Sequence, residues 1–179
     1  MNIKGLLTFL LISATLFSCK DDKKSDAEQQ KEEVPTYSIV LNATVKQNDN
    51  LQLFFKETTD ENTQFSEENS VRVDVVGSDQ PQDIEFKLPV DAVANQLRLD
   101  FGMNKDQKDI VVNNFTMKFK EKSFTLSSAD FFEYFIPDST SVTVDKANKK
   151  VTPRPSKEGN FDPKMFSGTM LADKIRSLN

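Results

Sequence analysis

Histidine and tryptophan are missing from this 179-residue chain, and cysteine occurs once, at position 19. Without His there is no Ser-His-Asp or Cys-His arrangement and no imidazole-ligated zinc, haem or copper. A single Cys forms no intrachain disulfide and no iron–sulfur cluster. The lack of Trp removes a ring whose polar N–H and broad face suit it to sugar stacking. Positive charge is also short: 23 Lys and Arg stand against 28 Asp and Glu, for a net charge of −5. With no basic stripe in the chain, nucleic acid is excluded as a partner. There is no nucleophile motif, so no enzyme activity and no cofactor are expected. What chemistry remains belongs to carboxylates, Lys, Tyr, Ser and Thr hydroxyls and oxygen sites for hard cations.

One apolar run stands out, Leu6 to Phe17, preceded by Lys4 and broken only by Thr8, Ser13 and Thr15. It is too short for a permanent bilayer span and has the form of a secretory signal. It ends in Leu16-Phe17-Ser18-Cys19, which resembles the lipobox of bacterial lipoproteins, with a small residue before the cysteine and Leu three before it. Phe17 is bulkier than the commonest residue at its place. The resemblance implies cleavage before Cys19, acylation of that cysteine, and anchoring of the mature chain to outer-membrane lipid. Lys20-Asp21-Asp22 resembles the surface-export signal of Bacteroidota lipoproteins and implies display on the cell surface. Two or more acyl chains make such an anchor durable, at about 0.8 kcal/mol per buried CH₂.

Three segments are therefore expected: a signal over 1–18, the lipidated cysteine with a charged tether over 19–35, and a folded domain over 36–179. The tether is nearly all Lys, Asp, Glu, Gln and Ser, with Ala27 and Val34 its apolar exceptions. Such a stretch cannot bury enough surface to fold. Extended, it would reach about 50 Å.

Beyond it the dominant period is two. Tyr37, Ile39, Leu41, Ala43 and Val45 alternate with polar residues, and Leu51, Leu53 and Phe55 resume after Gln47-Asn48-Asp49-Asn50, predicting a hairpin. A polar stretch, Thr58 to Asn69, reads as a loop with little to pack, and its carboxylates (with Glu57) read as a solvated charge run. Strands follow over Val71–Val75, Ile84–Leu88 and Leu97–Phe101, and one helical turn is expected near Val90–Val93. Ile110 and Val112 are out of phase with Phe115, Met117 and Phe119, which predicts a β-bulge in one long strand. Phe124 and Leu126 continue after a tight turn at Glu121-Lys122. The aromatic run Phe131 to Ile136 reads as a strand apolar on both faces, and Val142 with Val144 as a last short strand. Asp162 and Pro163 are expected to cap a C-terminal helix carrying Phe166, Met170, Leu171, Ile175 and Leu178. The fold class that follows is all-β: a two-sheet antiparallel β-sandwich, jelly-roll-like, with a short C-terminal helix.

The segment Gln96 to Gly102 followed by Ile110 to Phe119 resembles part of a sandwich module recurrent in Bacteroidota and similar to carbohydrate-binding domains. That resemblance implies a glycan ligand without assigning contact residues. Candidate ligand contacts are Tyr134, the polar-tipped member of the aromatic run, and Asp100 and Asp106 in the acidic stretch 100–109. That stretch also offers Asn104, Asp109 and Asn113 as oxygen ligands for Ca²⁺, but Lys105 and Lys108 oppose a cation and the spacing is not that of an EF-hand, so no metal is expected. Asp138-Ser139-Thr140 resembles a short O-glycosylation pattern of exported Bacteroidota proteins, with Ser139 the acceptor. The functional expectation is a non-catalytic, surface-anchored module binding a glycan or an envelope ligand; the alternative is an accessory envelope subunit docked on a partner protein.

Overall fold

A computed structural model describes residues 34–179. The expected signal segment, Cys19, Lys20, Asp21, Asp22 and the tether as far as residue 33 lie outside the described residues. No helix among the described residues is long and apolar enough to cross a membrane.

Among the described residues, eleven strands and two α-helices form an antiparallel two-sheet sandwich. In chain order the strands are β1 (Ser38–Thr44), β2 (Asp49–Lys56), β3 (Ser70–Val75), β4 (Gln82–Lys87), β5 (Gln96–Asp100), β6 (Ile110–Phe119), β7 (Lys122–Ser127), β8 (Phe135–Pro137), β9 (Val142–Asp145), β10 (Lys150–Pro153) and β11 (Lys164–Ser167). Helix α1 spans Ser128–Tyr134 and α2 spans Thr169–Arg176. The first sheet runs β4-β1-β6-β10-β9, with β7 also on β6; the second runs β3-β2-β5-β11-β8. Successive strands cross repeatedly from one sheet to the other, giving the two-sheet antiparallel sandwich that the alternation predicts.

The period-two pattern sends Ile39, Leu41, Phe86, Val112, Phe115 and Met117 inward from the first sheet, against Leu51, Leu53, Leu97, Leu99 and Met165 from the second, all fully buried. The bulge falls where the phase slip predicts it. Asn42 pairs with Asn114 and Ala43 with Val112, so Asn113 is the extra residue, and its amide donates to Asn42 Oδ1 at 2.9 Å.

Five local expectations are overturned. Val142–Asp145 is not the last strand: Lys150–Pro153 pairs beside it as β10, in a stretch whose Lys, Asn and Pro hide the strand, and β11 follows. β1 and β2 are not a hairpin: β1 pairs with β4 and β6, while β2 pairs with β3 and β5. The polar stretch between them turns the chain from one sheet to the other, and it packs against the β3–β4 crossing. Gly77 N–H donates to Asn48 Oδ1 and Ser78 N–H to the Val45 carbonyl, both at 2.8 Å. A Cβ on Gly77 would sit 2.5 Å from the Lys46 carbonyl oxygen, so only glycine allows the two corners to meet.

The aromatic run is not a strand throughout but α1 followed by the short β8. Ser127 and Asp130 form a capping box, with Asp130 N–H donating to Ser127 Oγ and Asp130 Oδ2 accepting from Ser127 N–H. On that helix Phe131 and Phe132 turn into the core. Phe131 stacks on Phe135 with centroids 4.6 Å apart, and Phe115 meets Phe135 edge-on at 5.2 Å. Ser127→Ala removes the cap and is expected to cost about 1 kcal/mol in urea unfolding.

The C-terminal helix begins at Thr169 rather than at Asp162-Pro163, because Lys164–Phe166 pair with Arg98–Asp100 as β11. Sheet pairing outweighs the helical spacing of Phe166 with the later apolar residues. Leu171, Ile175 and Leu178 are buried as predicted, whereas Met170 is half exposed. Val90–Val93 makes a turn closed by Ala92 N–H on the Pro89 carbonyl, with Asp91 at φ 66°, not a helical turn.

Candidate functional site

The outer faces of the two sheets differ. On the first sheet the outward side chains of β1, β4 and β6 include Ser38, Asn42, Asp83, Glu85, Lys87, Thr116 and Lys118, half-buried or exposed, with Thr44 at the end of β1 buried. On the second sheet several outward side chains are buried: Gln52, Phe54, Lys56 and Asp100. A polar outward face that is nevertheless buried needs something over it. Arg98 covers Phe54 and Asp100, and the cover over Gln52 and Lys56 is Thr58–Asn69, expected to be a free polar loop. It lies as a strap across β2: Lys56 Nζ donates to the carbonyls of Asp60 and Thr63, both at 2.8 Å, and Phe65 packs on Phe166 with centroids 6.1 Å apart.

Beside the strap lies a pocket of about 290 Å³, lined by Asn50, Gln52, Glu67, Arg72, Arg98, Asp100, Gly102, Met103 and Asp162. Register explains this convergence: Arg72, Gln52 and Asp100 are cross-strand partners on β3, β2 and β5, and Lys164 of β11 follows Asp100. Arg98 lies one step along β5 on the same face, its guanidinium 4.0 Å above the Phe54 ring. One edge of that guanidinium is taken by Asp100, with Nε–Oδ1 at 2.7 Å and a second bond from Nη2 to Oδ2. Glu67 accepts from Gln52 at 2.9 Å and from Arg72 at 3.0 Å, and Asp162 pairs with Lys164.

Burial pushes the Asp100 carboxyl up from its ordinary value, against the pull of the Arg98 hydrogen bonds and charge, while the Asp100 bonds raise Arg98. The exposed Glu67 is held below the usual carboxylate range by the bonds from Gln52 and then Arg72. Arg98 is paired with Asp100 and Arg72 with Glu67, while Asp162, the third carboxylate of the lining, is paired with Lys164 beside the pocket, so the wall presents closely spaced donors and acceptors whose charges are each matched. Such a wall suits an uncharged ligand rich in hydroxyls.

Of the three candidate ligand contacts, the structure places Asp100 in this pocket and the other two elsewhere. Tyr134 ends α1, half-buried, with Lys174 Nζ 5.4 Å from its ring. Asp106 is exposed in the β5–β6 loop, where Asn104 Oδ1 accepts from its N–H. The other oxygen groups of that loop are also dispersed: Asp109 binds Lys150 and Thr152, and Asn104 reaches the Asn48 carbonyl. Among the described residues no three His, Cys, Asp or Glu side chains come together as a metal site. Ser139 is exposed in the turn after Pro137.

Sequence reasoning missed Arg98, Arg72, Gln52 and Glu67. One signal pointed to them. Phe54 interrupts the alternation of β2 with an apolar side chain on the outward face, which implies a cover over that face.

The described residues form a β-sandwich with a preformed polar pocket on one outer face. No protein family, curated protein or solved structure matches the chain.

Proposed function

We propose that the protein is a non-catalytic lipoprotein, anchored in the outer membrane through acylated Cys19 and displayed on the cell surface by Lys20-Asp21-Asp22, whose sandwich binds a glycan. The observation that carries the binding half of this reading is the charge-balanced pocket built on Arg98, Asp100, Arg72, Glu67 and Gln52. Its volume lies at the lower edge of the roughly 300–1,000 Å³ typical of ligand pockets. Planar amide, guanidinium and carboxylate groups give paired donors and acceptors that match vicinal hydroxyls. The sequence motif at residues 16–22 supports the anchoring half.

Binding is tested on Arg72→Ala. Its ion pair with Glu67 is exposed, so the change is expected to cost less than about 1 kcal/mol of stability. It removes a donor from the pocket wall, and glycan affinity on an array should fall about tenfold. Unchanged affinity for every bound glycan would refute the site. For the anchor, Cys19→Ala should move the chain from the membrane fraction to the soluble fraction; retention in the membrane would refute lipidation there.

The alternative, an accessory subunit docking on an envelope protein, draws on Ile136 and Met170, which are 57% and 52% exposed on β8 and α2. It is favoured if the array is blank and cross-linking through these residues captures one envelope protein reproducibly.

A further inference from the structure

We propose that the pocket is one end of a longer trough, closed at its other end by the strap Thr58–Asn69, and that the ligand is a linear sugar chain of several units rather than a single ring. This rests on the reading of the pocket as a glycan site. A second cavity, of about 210 Å³, lies on the same outer face, lined by strap residues together with Lys56, Gln96, Phe166 and Ser167. Among the described residues none lines both cavities, but neighbours on adjacent strands line one each: Arg98 the first and its cross-strand partner Phe166 the second. Phe54, Arg98 and Phe166 are successive cross-strand partners on β2, β5 and β11 and form the row between them. The ring of Phe65 in the strap packs over that row at Phe166 and lies 5.2 Å from Lys56 Nζ. From Asn50 to Lys56 the strand carries this face over about 20 Å, several times the length of one sugar ring.

The strap is built to lift as a unit. Of the strap from Thr58 to Asn69, which follows Glu57, no residue is buried, so it contributes nothing to the core. Its internal bonds, Thr63 N–H to the Asp60 carbonyl and Asn62 N–H to Asp60 Oδ1, travel with it. Its middle is fastened at few points, the two Lys56 bonds, the Phe65 ring, and Glu67 on Gln52 and Arg72, while its ends are held by Asn95 Nδ2 on the Glu57 carbonyl and Ser70 Oγ on the Glu67 carbonyl. The surface beneath is largely polar, with Lys56, Gln52 and Arg98, and these groups hydrate when uncovered. Segments with few buried apolar contacts open locally at far lower cost than the strands they cover. Lifting the strap joins the two cavities along the Phe54–Arg98–Phe166 row and frees the Lys56 ammonium, whose bonds on the strap are both to backbone carbonyls, to donate to a ligand.

The test is hydrogen exchange on the full-length chain in detergent, followed by binding to linear neutral hexose oligosaccharides of one to six units. Amides of residues 58–66 are expected to exchange at least about a hundredfold faster than those of β2 and β5. Lys56→Met should speed the strap about a further tenfold and leave the strands unchanged. If strap and strands exchange together and Lys56→Met moves neither, the trough is closed and the proposal falls, whatever the pocket binds. If the strap opens, affinity should rise with chain length over several units, and bound oligosaccharide should alter exchange in both the strap and β5. Affinity already complete at one unit overturns the trough and leaves the pocket reading intact. Failure of every oligosaccharide to bind, with the strap open, overturns the pocket reading and the proposed ligand together.

Discussion

Gly102→Ala is expected to destabilise the domain by about 3 kcal/mol, read as a shift of the urea midpoint at unchanged slope. Gly102 sits at φ +99°, and a Cβ there would lie 2.2 Å from the Asp49 carboxylate. A left-handed non-glycine residue costs about 1–2 kcal/mol. The displaced carboxylate costs more, because it organises the loop: it accepts from the backbone N–H of Asn50 (2.9 Å), Met103 (2.8 Å) and Asn104 (3.2 Å) and from Gln107 Nε2 (3.1 Å). Leaving such donors without partners costs about 1–3 kcal/mol. Asp49→Ala removes the obstacle along with the bonds, so the double variant should lose less than the sum of the singles. Additive losses would mean that the two residues do not share this contact. Since Gly102 and Met103 line the pocket, the same substitution should also weaken ligand binding.

Arg98→Ala is expected to cost a similar amount, about 3 kcal/mol, with a pH dependence that identifies the cause. Breaking a buried pair by removing one partner costs about 3–5 kcal/mol; the 19% exposure of the Arg98 side chain places this pair at the lower end. Asp100 would lose both its guanidinium bonds, and Phe54 its cover. Burial already raises the folded-state value of Asp100 above its unfolded one. A raised group supports folding fully below its unfolded value, near 4, and that support is lost as pH rises through the folded value. Removing Arg98 takes away the groups that pull Asp100 down, so its folded value climbs further. The deficit of Arg98→Ala relative to the parent should therefore be smallest near pH 4 and grow towards pH 7. A deficit constant across that range would show that the loss comes from packing on Phe54 instead. Replacing both partners, as Arg98→Met with Asp100→Leu, should recover much of the stability, because no buried charge is left alone, while abolishing binding at the pocket.

Much of the fold was legible because strand side chains alternate strictly. Ile39, Leu41, Leu97 and Leu99 had to face one way, and the slip between Val112 and Phe115 had to be taken up by an extra residue. Alternation says which face of a strand is buried but not which strand lies beside it. The pairing of β1 with β4 and β6, rather than with β2, was therefore invisible, and Gln47–Asn50 reads the same as a hairpin turn or as a corner between sheets. Phe131 and Phe132 were legible as core, but their helix was not, because its start depends on a capping box that their apolar run obscures.

The candidate site shows the same division more sharply. Composition alone determined that the chain offers no imidazole, thiolate pair or indole, and the alternation placed Gln52, Arg98 and Asp100 on an outward face. That this face is covered, and that Arg72, Glu67 and Asp162 meet there, was decided by tertiary structure. Glu67 and Arg72 are near neighbours in the chain, but Gln52, Asp100 and Asp162 are far from them, and only antiparallel register and the strap tied to Lys56 bring the group together. Local sequence sets the side of the sheet on which a side chain stands, whereas the partners it meets are set by long-range pairing, whose energy lies in the buried core.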